Sequence, residues 1–456
     1  MIKCPGCGGE VEFKPGQKKV VCKYCGTKFD PEEKVSDVKT AKENNDTFSG
    51  KTYSCTQCGA TLMTFDETAV TFCSYCGSQA MIEEKMMKQN NPDFIIPFEK
   101  TKEECIAEYK SKVNKALFAP KYMKEDTTIQ KFRGIYMPYC VYKVGYNGKT
   151  TNKGSKYSHR SGDYIYYDDY TVTADVNTSY DGISFDLVSK FYDKFSTSIP
   201  YNYKLRKDFN ANYLTGFYAD TKDVDESVYD SEACEVAKGD ANSKLRKVGG
   251  FSKYGCSNPQ VPLGVIDKKT GMFPVYFLAI RDKSEKNIHY AVVNGQTGKI
   301  ALDLPIDFKK YIFGSLILAV IIWLLITFTG IVLTPKKVAL FSILAGVISL
   351  IISAAQASSL KNRELHTDDK GYMSKQEDKK KKATGTFKYL YKEIISIIIP
   401  LFALICNFVN DAYYYGAALI ALVLVILSFR DLVKEHNLLS SNKLPQLEKR
   451  GGDESE

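Results

Sequence analysis

The chain lacks the short signatures of the common enzyme classes. It has no G-x-x-x-x-G-K-[ST] phosphate loop, no H-E-x-x-H helix and no G-x-S-x-G nucleophile turn. Histidine is scarce, and His159, His289, His366 and His436 are too scattered to read as one cluster. The one adjacent carboxylate pair of interest, Asp168-Asp169, falls in a tyrosine-rich strand pattern, where neighbours face opposite sides. No apolar signal-peptide run follows the initial MIKCPGCGG, so a reducing compartment is expected for the cysteines. A net charge of +9 over 456 residues permits a nucleic-acid partner without implying one. Together these absences point away from nucleotide-driven, metallopeptidase and serine-hydrolase chemistry, and toward a protein that is not an enzyme.

What is present is uneven. Eight of the thirteen cysteines lie in the first 76 residues, as four C-x-x-C pairs. Cys4, Cys7, Cys22 and Cys25 form one set; Cys55, Cys58, Cys73 and Cys76 form another. Fourteen residues separate the two pairs in each set, and the sets are offset by 51 positions (55 minus 4), so the unit is duplicated. A C-x-x-C turn brings two sulfurs to one side, and two such turns can close a tetrahedral Zn²⁺ with arms of ~2.3 Å. Gly8, Gly26, Gly59 and Gly77 follow the second cysteine of each knuckle, where a positive φ is needed. Alternating stretches such as Val11-Glu12-Phe13 and Val70-Thr71-Phe72 predict hairpin strands, the first turning at Pro15-Gly16. Each unit is too short to fold on a hydrophobic core, so bound metal must supply folding free energy on the order of 10 kcal/mol. Four thiolates leave no open position, so both sites are expected to be structural. A rubredoxin-like iron site would use the same ligands. Cys105, Cys140, Cys234, Cys256 and Cys406 are expected to be ordinary thiols.

The pattern predicts a multidomain chain: two small β zinc ribbons, an α+β central domain and a C-terminal four-helix α transmembrane region. Ribbon 1 spans 1–30, a polar linker 31–50, ribbon 2 51–81, a short spacer 82–93 and the central domain 92–305. In the central domain, Thr101 with Glu104 reads as a capping box, and Ile106, Tyr109, Val113 and Leu117 repeat at helical spacing. Strands are predicted over 164–176, 273–280 and 288–293, with a turn at Asn294-Gly295. Apolar runs at 311–333, 338–358, 394–409 and 412–429 predict two transmembrane hairpins, 311–360 and 394–430. Between them lies a basic loop, 361–393, with ten Lys or Arg; a polar tail, 431–456, follows. The loop around Asn410-Asp411 has no basic residue, whereas Lys336-Lys337 adds two on the same side. This distribution predicts a multi-pass plasma-membrane protein with both termini cytoplasmic and lipid as a partner.

Several segments then resemble a known group. Phe94-Ile95-Ile96-Pro97-Phe98, Phe118-Ala119-Pro120, Gly134-Ile135-Tyr136-Met137-Pro138 and Tyr213-Leu214-Thr215-Gly216-Phe217-Tyr218-Ala219-Asp220 are four of them. Pro274-Val275-Tyr276-Phe277-Leu278 and Val293-Asn294-Gly295-Gln296-Thr297-Gly298-Lys299 complete the set. With the ribbons, these segments resemble a Firmicute-type family of membrane-anchored TFIIB-type zinc-ribbon proteins, sometimes mislabelled primosomal or helicase-like. The resemblance spans about residues 1–305. It implies zinc at the eight cysteines, two ions per chain, and a membrane adaptor acting beside membrane-stress proteins. It implies no helicase activity. The expected function is therefore an adaptor that presents a cytoplasmic docking surface to a protein partner. The alternative is a membrane-tethered nucleic-acid-binding regulator. Lys3, Lys14, Lys18, Lys19, Lys23 and Lys28 on ribbon 1 speak for that alternative, and the absence of Lys or Arg between Cys55 and Cys76 speaks against it.

Overall fold

The computed structural model describes residues 2–32, 47–65, 70, 72–84, 86–129, 131–248, 251–282, 287–328, 334–365 and 387–443. Most of the linker 31–50, Thr71, most of the basic loop 361–393 (including Lys379 to Lys382), the end of the 311–333 run and the last part of the tail lie outside the described residues.

The N-terminal unit is a three-stranded antiparallel sheet, β1 (Val11–Lys14), β2 (Lys19–Cys22) and β3 (Lys28–Phe29). Its first hairpin turns through Pro15–Gln17, with Lys18 in the left-handed region at φ 52°. Val11, Phe13, Val20 and Phe29 are buried, but not in a private core: they pack in one cluster with Phe98, Tyr109, Phe132 and Tyr213. The second unit is joined to the rest more closely still. Its strands β4 (Thr47–Cys55), β5 (Thr61–Thr64), β6 (Met81–Glu83) and β7 (Met87–Asn90) belong to a 13-stranded sheet, and residues 82–93, expected as a spacer, contribute to it.

The rest of that sheet comes from the central domain. It comprises β8 (Phe94–Ile95), β9 (Arg133–Ser161), β10 (Tyr164–Asp186), β11 (Lys207–Asp208), β12 (Tyr218–Asp220), β13 (Gly264–Arg281), β14 (Asn287–Asn294), β15 (Ile300–Leu302) and, from the C-terminal tail, β16 (Asn442–Lys443). Pairing is antiparallel except for β12 with β9 and β13 with β8. Strand β12 bridges the parts: it pairs with β9 through Tyr218↔Ile135 and with β5 through Tyr218↔Thr64.

Four helices lie against the sheet: α1 (Lys102–Lys115), the short α2 (Asp126–Ile129) and α3 (Asp193–Ser196), and α4 (Asp230–Val248). The capping box forms as expected, with Glu104 N–H donating to the Thr101 hydroxyl at 3.3 Å and Thr101 N–H to the Glu104 carboxylate at 2.8 Å. The buried stripe of α1, however, is Cys105, Tyr109 and Val113, a strict i, i+4 row; Ile106 is half-buried, and Leu117 lies beyond the helix end, exposed. The Asn294 loop is a tie. Asn294 accepts from Gln296 and Thr297 N–H and donates to the carbonyls of Ile199 and Pro200.

The C-terminal part is helical: α5 (Phe308–Phe328), α6 (Pro335–Leu365), α7 (Phe387–Cys406) and α8 (Ala412–Leu439). Among the described residues two helices are long and apolar enough to cross a membrane, Pro335–Ser359 and Ala412–Leu438. The expected four spans are thereby narrowed to two. Helix α7 carries Lys388, Lys392 and Glu393 in its first turns and Pro400 inside, so its uncharged part from Ile394 to Cys406 rises only about 20 Å. Helix α5 opens on Lys309-Lys310 and its described part ends at Phe328. All four helices leave large apolar side chains exposed, among them Ile317, Leu324, Leu344, Ile348, Ile398, Phe402, Leu419 and Val423.

The ends of the bundle are distinguishable. Ala339, Ala403, Tyr414 and Ala417 pack at one end, and Ala357 packs with Leu432 at the other. The second end adjoins the sheet domain. Lys310 donates to the Ala119 carbonyl at 2.5 Å, Asn437 bonds Ile306, and Asn442 pairs with Ile288. His436 there bonds the Leu304 carbonyl, and buried His289 lies 2.6 Å from the Ser440 carbonyl.

Candidate metal centres

The four knuckles share one backbone plan. In each, the residue after the second cysteine donates its N–H to the carbonyl of the first, as Gly8 to Cys4 and Gly77 to Cys73. The first cysteine in turn donates its N–H five residues ahead, as Cys4 to Gly9 and Cys73 to Ser78. That loop requires the left-handed region at its fifth residue. Gly8, Gly26, Gly59 and Gly77 sit there, at φ of 70°, 72°, 69° and 68°. The glycine pattern in the sequence is thus the direct trace of the knuckle.

Each set of four sulfurs converges, all within 4.8 Å of one another. Cys4 and Cys25 Sγ are 3.6 Å apart, Cys7 and Cys22 3.5 Å, Cys55 and Cys76 3.5 Å, and Cys58 and Cys73 3.6 Å. A tetrahedron with ~2.3 Å arms has edges of ~3.8 Å, so the sulfurs stand where a Zn²⁺-sized ion needs them. They are too far apart for disulfides, whose S–S length is ~2.05 Å, and all eight are free thiols. Two Cys4 centres able to hold two metal ions are therefore present, with the ligand sets the spacing predicted.

The electrostatics fit a cation. Four thiols in such contact cannot all ionise alone; they share protons. Mutual hydrogen bonds, first those from Cys58, push Cys55 far below the usual thiol range, and the bond with Cys55 pushes Cys58 and Cys73 far above it. In the first site Cys25 is drawn down to about 6, chiefly by the Thr27 hydroxyl 3.0 Å away and then by the Thr27 N–H. Cys22 is lowered by the Cys25 N–H. These are the N–H groups the knuckle turns toward sulfur.

The two centres differ in setting. In site 1, Cys4 and Cys22 are buried while Cys7 and Cys25 are exposed; in site 2 all four are buried. Site 1 docks by an edge: Phe13 N–H donates to the Thr215 carbonyl at 3.0 Å, Phe13 meets Tyr213 edge-on, and Lys18 pairs with Glu99. Site 2 lies within the sheet. Tyr75, between Cys73 and Cys76, is fully buried; its hydroxyl donates to Asp220, and its carbonyl accepts from the Tyr290 hydroxyl at 2.9 Å. Arg281 donates to the Cys76 carbonyl at 2.6 Å and to Gln57 at 2.9 Å, placing a cation beside a thiolate set of net negative charge. Burial raises the Asp220 carboxyl to about 7.

Asp220, Tyr75, Tyr290 and Arg281 were not singled out by the sequence patterns as site residues. Asp220 closes the Tyr213–Asp220 segment noted in the sequence, and that segment is the signal that could have marked it. The remaining candidates stay dispersed. Cys105 and Cys140 are buried and raised by burial to about 12 and about 11, as inert thiols are. Asp168 and Asp169 lie opposite Lys156 and Ser155 on an exposed ribbon, and His159 stacks there on Tyr166 at 4.6 Å. His289 and His436 are held by backbone carbonyls, and His366 lies outside the described residues.

The fold and its centres thus define a protein with two Cys4 metal centres set in and against one large sheet, followed by helices of which two can cross a membrane. The chain is similar to the uncharacterized protein YdjG of Bacillus subtilis (strain 168), at 26% identity over 313 residues, covering 68% of this chain and 91% of YdjG. No family model matches the chain. No solved structure matches it either.

Proposed function

We propose that the chain is a non-enzymatic, membrane-anchored zinc-ribbon adaptor of the TFIIB-type kind, which holds two zinc ions and presents a docking surface on the cytoplasmic side. The observation that carries the reading is the pairing of two closed Cys4 sets with a helical region whose apolar side chains face outward on every helix. Four sulfurs around one ion leave no coordination position for substrate, and outward Leu, Ile and Phe match a hydrocarbon surround. Helices α6 and α8, the two long enough to cross, both end at the sheet side of the bundle, so the chain has to return to the far side between them. That supports a multi-pass topology with both ends on one side. The basic residues of 361–393 favour the cytoplasm for that side.

The docking surface is best sought on the β9–β10 ribbon. Beyond Gly145, where pairing with β13 ends, it continues for roughly 50 Å to Ser161, and Tyr157, Tyr164, Ile165, Tyr166 and Tyr167 are exposed near its tip. It projects from the sheet end opposite Arg281, away from the helices, which suits a protein partner better than lipid. On ribbon 1, Lys14, Lys18 and Lys23 are paired with Glu12, Glu99 and Glu10, which weakens the nucleic-acid reading. Cysteine placed at Ser374 should react with an impermeant thiol reagent only after cell lysis; labelling in intact cells would overturn the topology and the adaptor with it. Purification from native membranes should recover one stoichiometric partner that is lost when Tyr164, Tyr166 and Tyr167 are changed to Ser. Salt-sensitive binding of purified protein to nucleic acid would instead support the regulator.

A further inference from the structure

Helices α6, α7 and α8 enclose a polar cluster in an otherwise apolar bundle. Glu393, in the second turn of α7, is fully buried. One carboxylate oxygen accepts from the Ser353 hydroxyl at 2.9 Å; the other has no partner. Ser349, one turn away on the same face of α6, is buried, and its hydroxyl has no partner either. Ser396, one turn along α7 from Glu393, is fully buried and donates to the Glu393 carbonyl at 2.7 Å. The two helices close here because α6 carries Gly346, where an added Cβ would stand 2.8 Å from Ile397 and 3.3 Å from the Ser396 hydroxyl.

The neighbouring charges are engaged elsewhere. Lys392 pairs with Asp431, and Arg430 lies 3.7 Å from the same carboxylate. Among the described residues no basic side chain is ion-paired with Glu393. A carboxylate buried among apolar helices needs a positive charge or a proton beside it. The free Glu393 oxygen and the Ser349 hydroxyl are not in hydrogen-bonding geometry with each other, so a proton on Glu393 would cancel the charge without bonding the Ser349 oxygen. A small cation between Glu393 and Ser349 satisfies both. The donors are all oxygen and carry one formal negative charge, which matches a hard monovalent ion; a divalent ion would ask for a second carboxylate.

We propose that Glu393, Ser349, Ser353 and Ser396 form a binding site for a small monovalent cation of the Na⁺ class, inside the helical bundle and near its sheet-domain end. Occupancy ties α6 to α7. The site rests on the packing of α6 to α8 and is independent of the docking role proposed above.

The test uses the full chain in detergent, with NaCl exchanged against choline chloride at constant ionic strength. Bound ²²Na⁺ and the thermal midpoint are read together. The expected result is saturable binding of about one Na⁺ per chain, with a midpoint that rises as the site fills. Li⁺ should compete for the site and K⁺ should do so poorly. Glu393→Gln keeps the shape and removes the charge; Ser349→Ala removes one hydroxyl that makes no hydrogen bond. Each should weaken Na⁺ binding about tenfold or more. Ser349→Ala should leave the midpoint in choline unchanged or higher, because an unpartnered buried hydroxyl contributes no stability. It keeps the test usable should Glu393→Gln fail to fold. Absence of bound ²²Na⁺, or equal affinity in the wild type and Ser349→Ala, would overturn the proposal. Carbonate extraction reports anchorage separately, so an integral chain without Na⁺ binding refutes this site alone.

Discussion

The two centres should surrender metal on different timescales. In site 1 a chelator can reach Cys7 and Cys25 from solvent, so exchange needs no unfolding. In site 2 the sulfurs lie beneath Tyr75, Phe277 and Tyr290, and the knuckle has to leave the sheet first. Lifting Tyr75 alone re-exposes roughly 150 Å² of aromatic surface, about 4 kcal/mol at 25 cal/mol/Å². Its bonds to Asp220 and from Tyr290 add about 1 kcal/mol each, and partial collapse of the opened state subtracts a similar amount. A net opening cost of about 3–5 kcal/mol slows release by roughly 150- to 5,000-fold. Stopped-flow chelation with a chromogenic indicator should therefore show one equivalent leaving quickly and one slowly. Cys25→Ser should abolish the fast phase and keep the slow one. A single phase of two equivalents, or loss of the slow phase in Cys25→Ser, would refute the reasoning.

Metal analysis of the purified chain should return about two zinc equivalents, and one or none would contradict the paired Cys4 sets. Cys73→Ser should unfold the sheet domain, because a metal contribution on the order of 10 kcal/mol rivals the whole net stability of a domain; Cys22→Ser should lower the midpoint yet leave the sheet protease-resistant. The Asp220 carboxyl is raised by burial, so its contribution is fully present below about pH 4 and is lost as pH rises through about 7. Asp220→Asn should flatten that slope and stabilise the domain at pH 8, read by denaturant unfolding across pH. His289 is held below its ordinary range by burial, so protonation must work against folding and stability should fall as pH drops below about 6.5. Hydrogen exchange across residues 287–294 should report that loss, and His289→Gln should remove it.

The metal ligands were legible because knuckle chemistry is local. Four residues, a glycine and two turns of backbone hydrogen bonds determine each half-site, and nothing distant is needed. The capping box at Thr101 was legible for the same reason. What sequence could not show is how far the ribbons are shared with the rest. Ribbon 2 looked independent because a unit that short folds on its metal rather than on a core of its own. Leu62 and Met63 are fully buried, however, because β12 arrives from more than 150 residues away to pair with β5. In the α1 stripe Tyr109 and Val113 are buried as expected, but its first member is Cys105 rather than Ile106, because both are apolar and only the neighbouring strands decide which one faces inward. Likewise, apolar runs marked all four C-terminal helices, and the third, 394–409, was already short and interrupted by Pro400; hydropathy did not show that Lys392 and Glu393 belong to the same helix, α7.

The different settings of the two centres follow from where the chain puts them. Ribbon 1 shares the body's apolar cluster through Val11, Phe13, Val20 and Phe29 and touches Tyr213, Thr215 and Glu99, but none of its strands pairs with the large sheet. Site 2 is continuous with the structure that meets the helices. Arg281 holds the Cys76 carbonyl from the last residue of β13, β14 begins a few residues later, and Ile288 in β14 pairs with Asn442 at the foot of α8. Beside that pairing His289 lies against Ser440. Loss of the second metal would free Arg281 and the end of β13, and with them the strand that anchors α8. Loss of the first would loosen ribbon 1 from the apolar cluster it shares without unpairing a strand of the large sheet. The proposed adaptor would then carry its vulnerable thiolates at site 1, where Cys7 and Cys25 stand exposed.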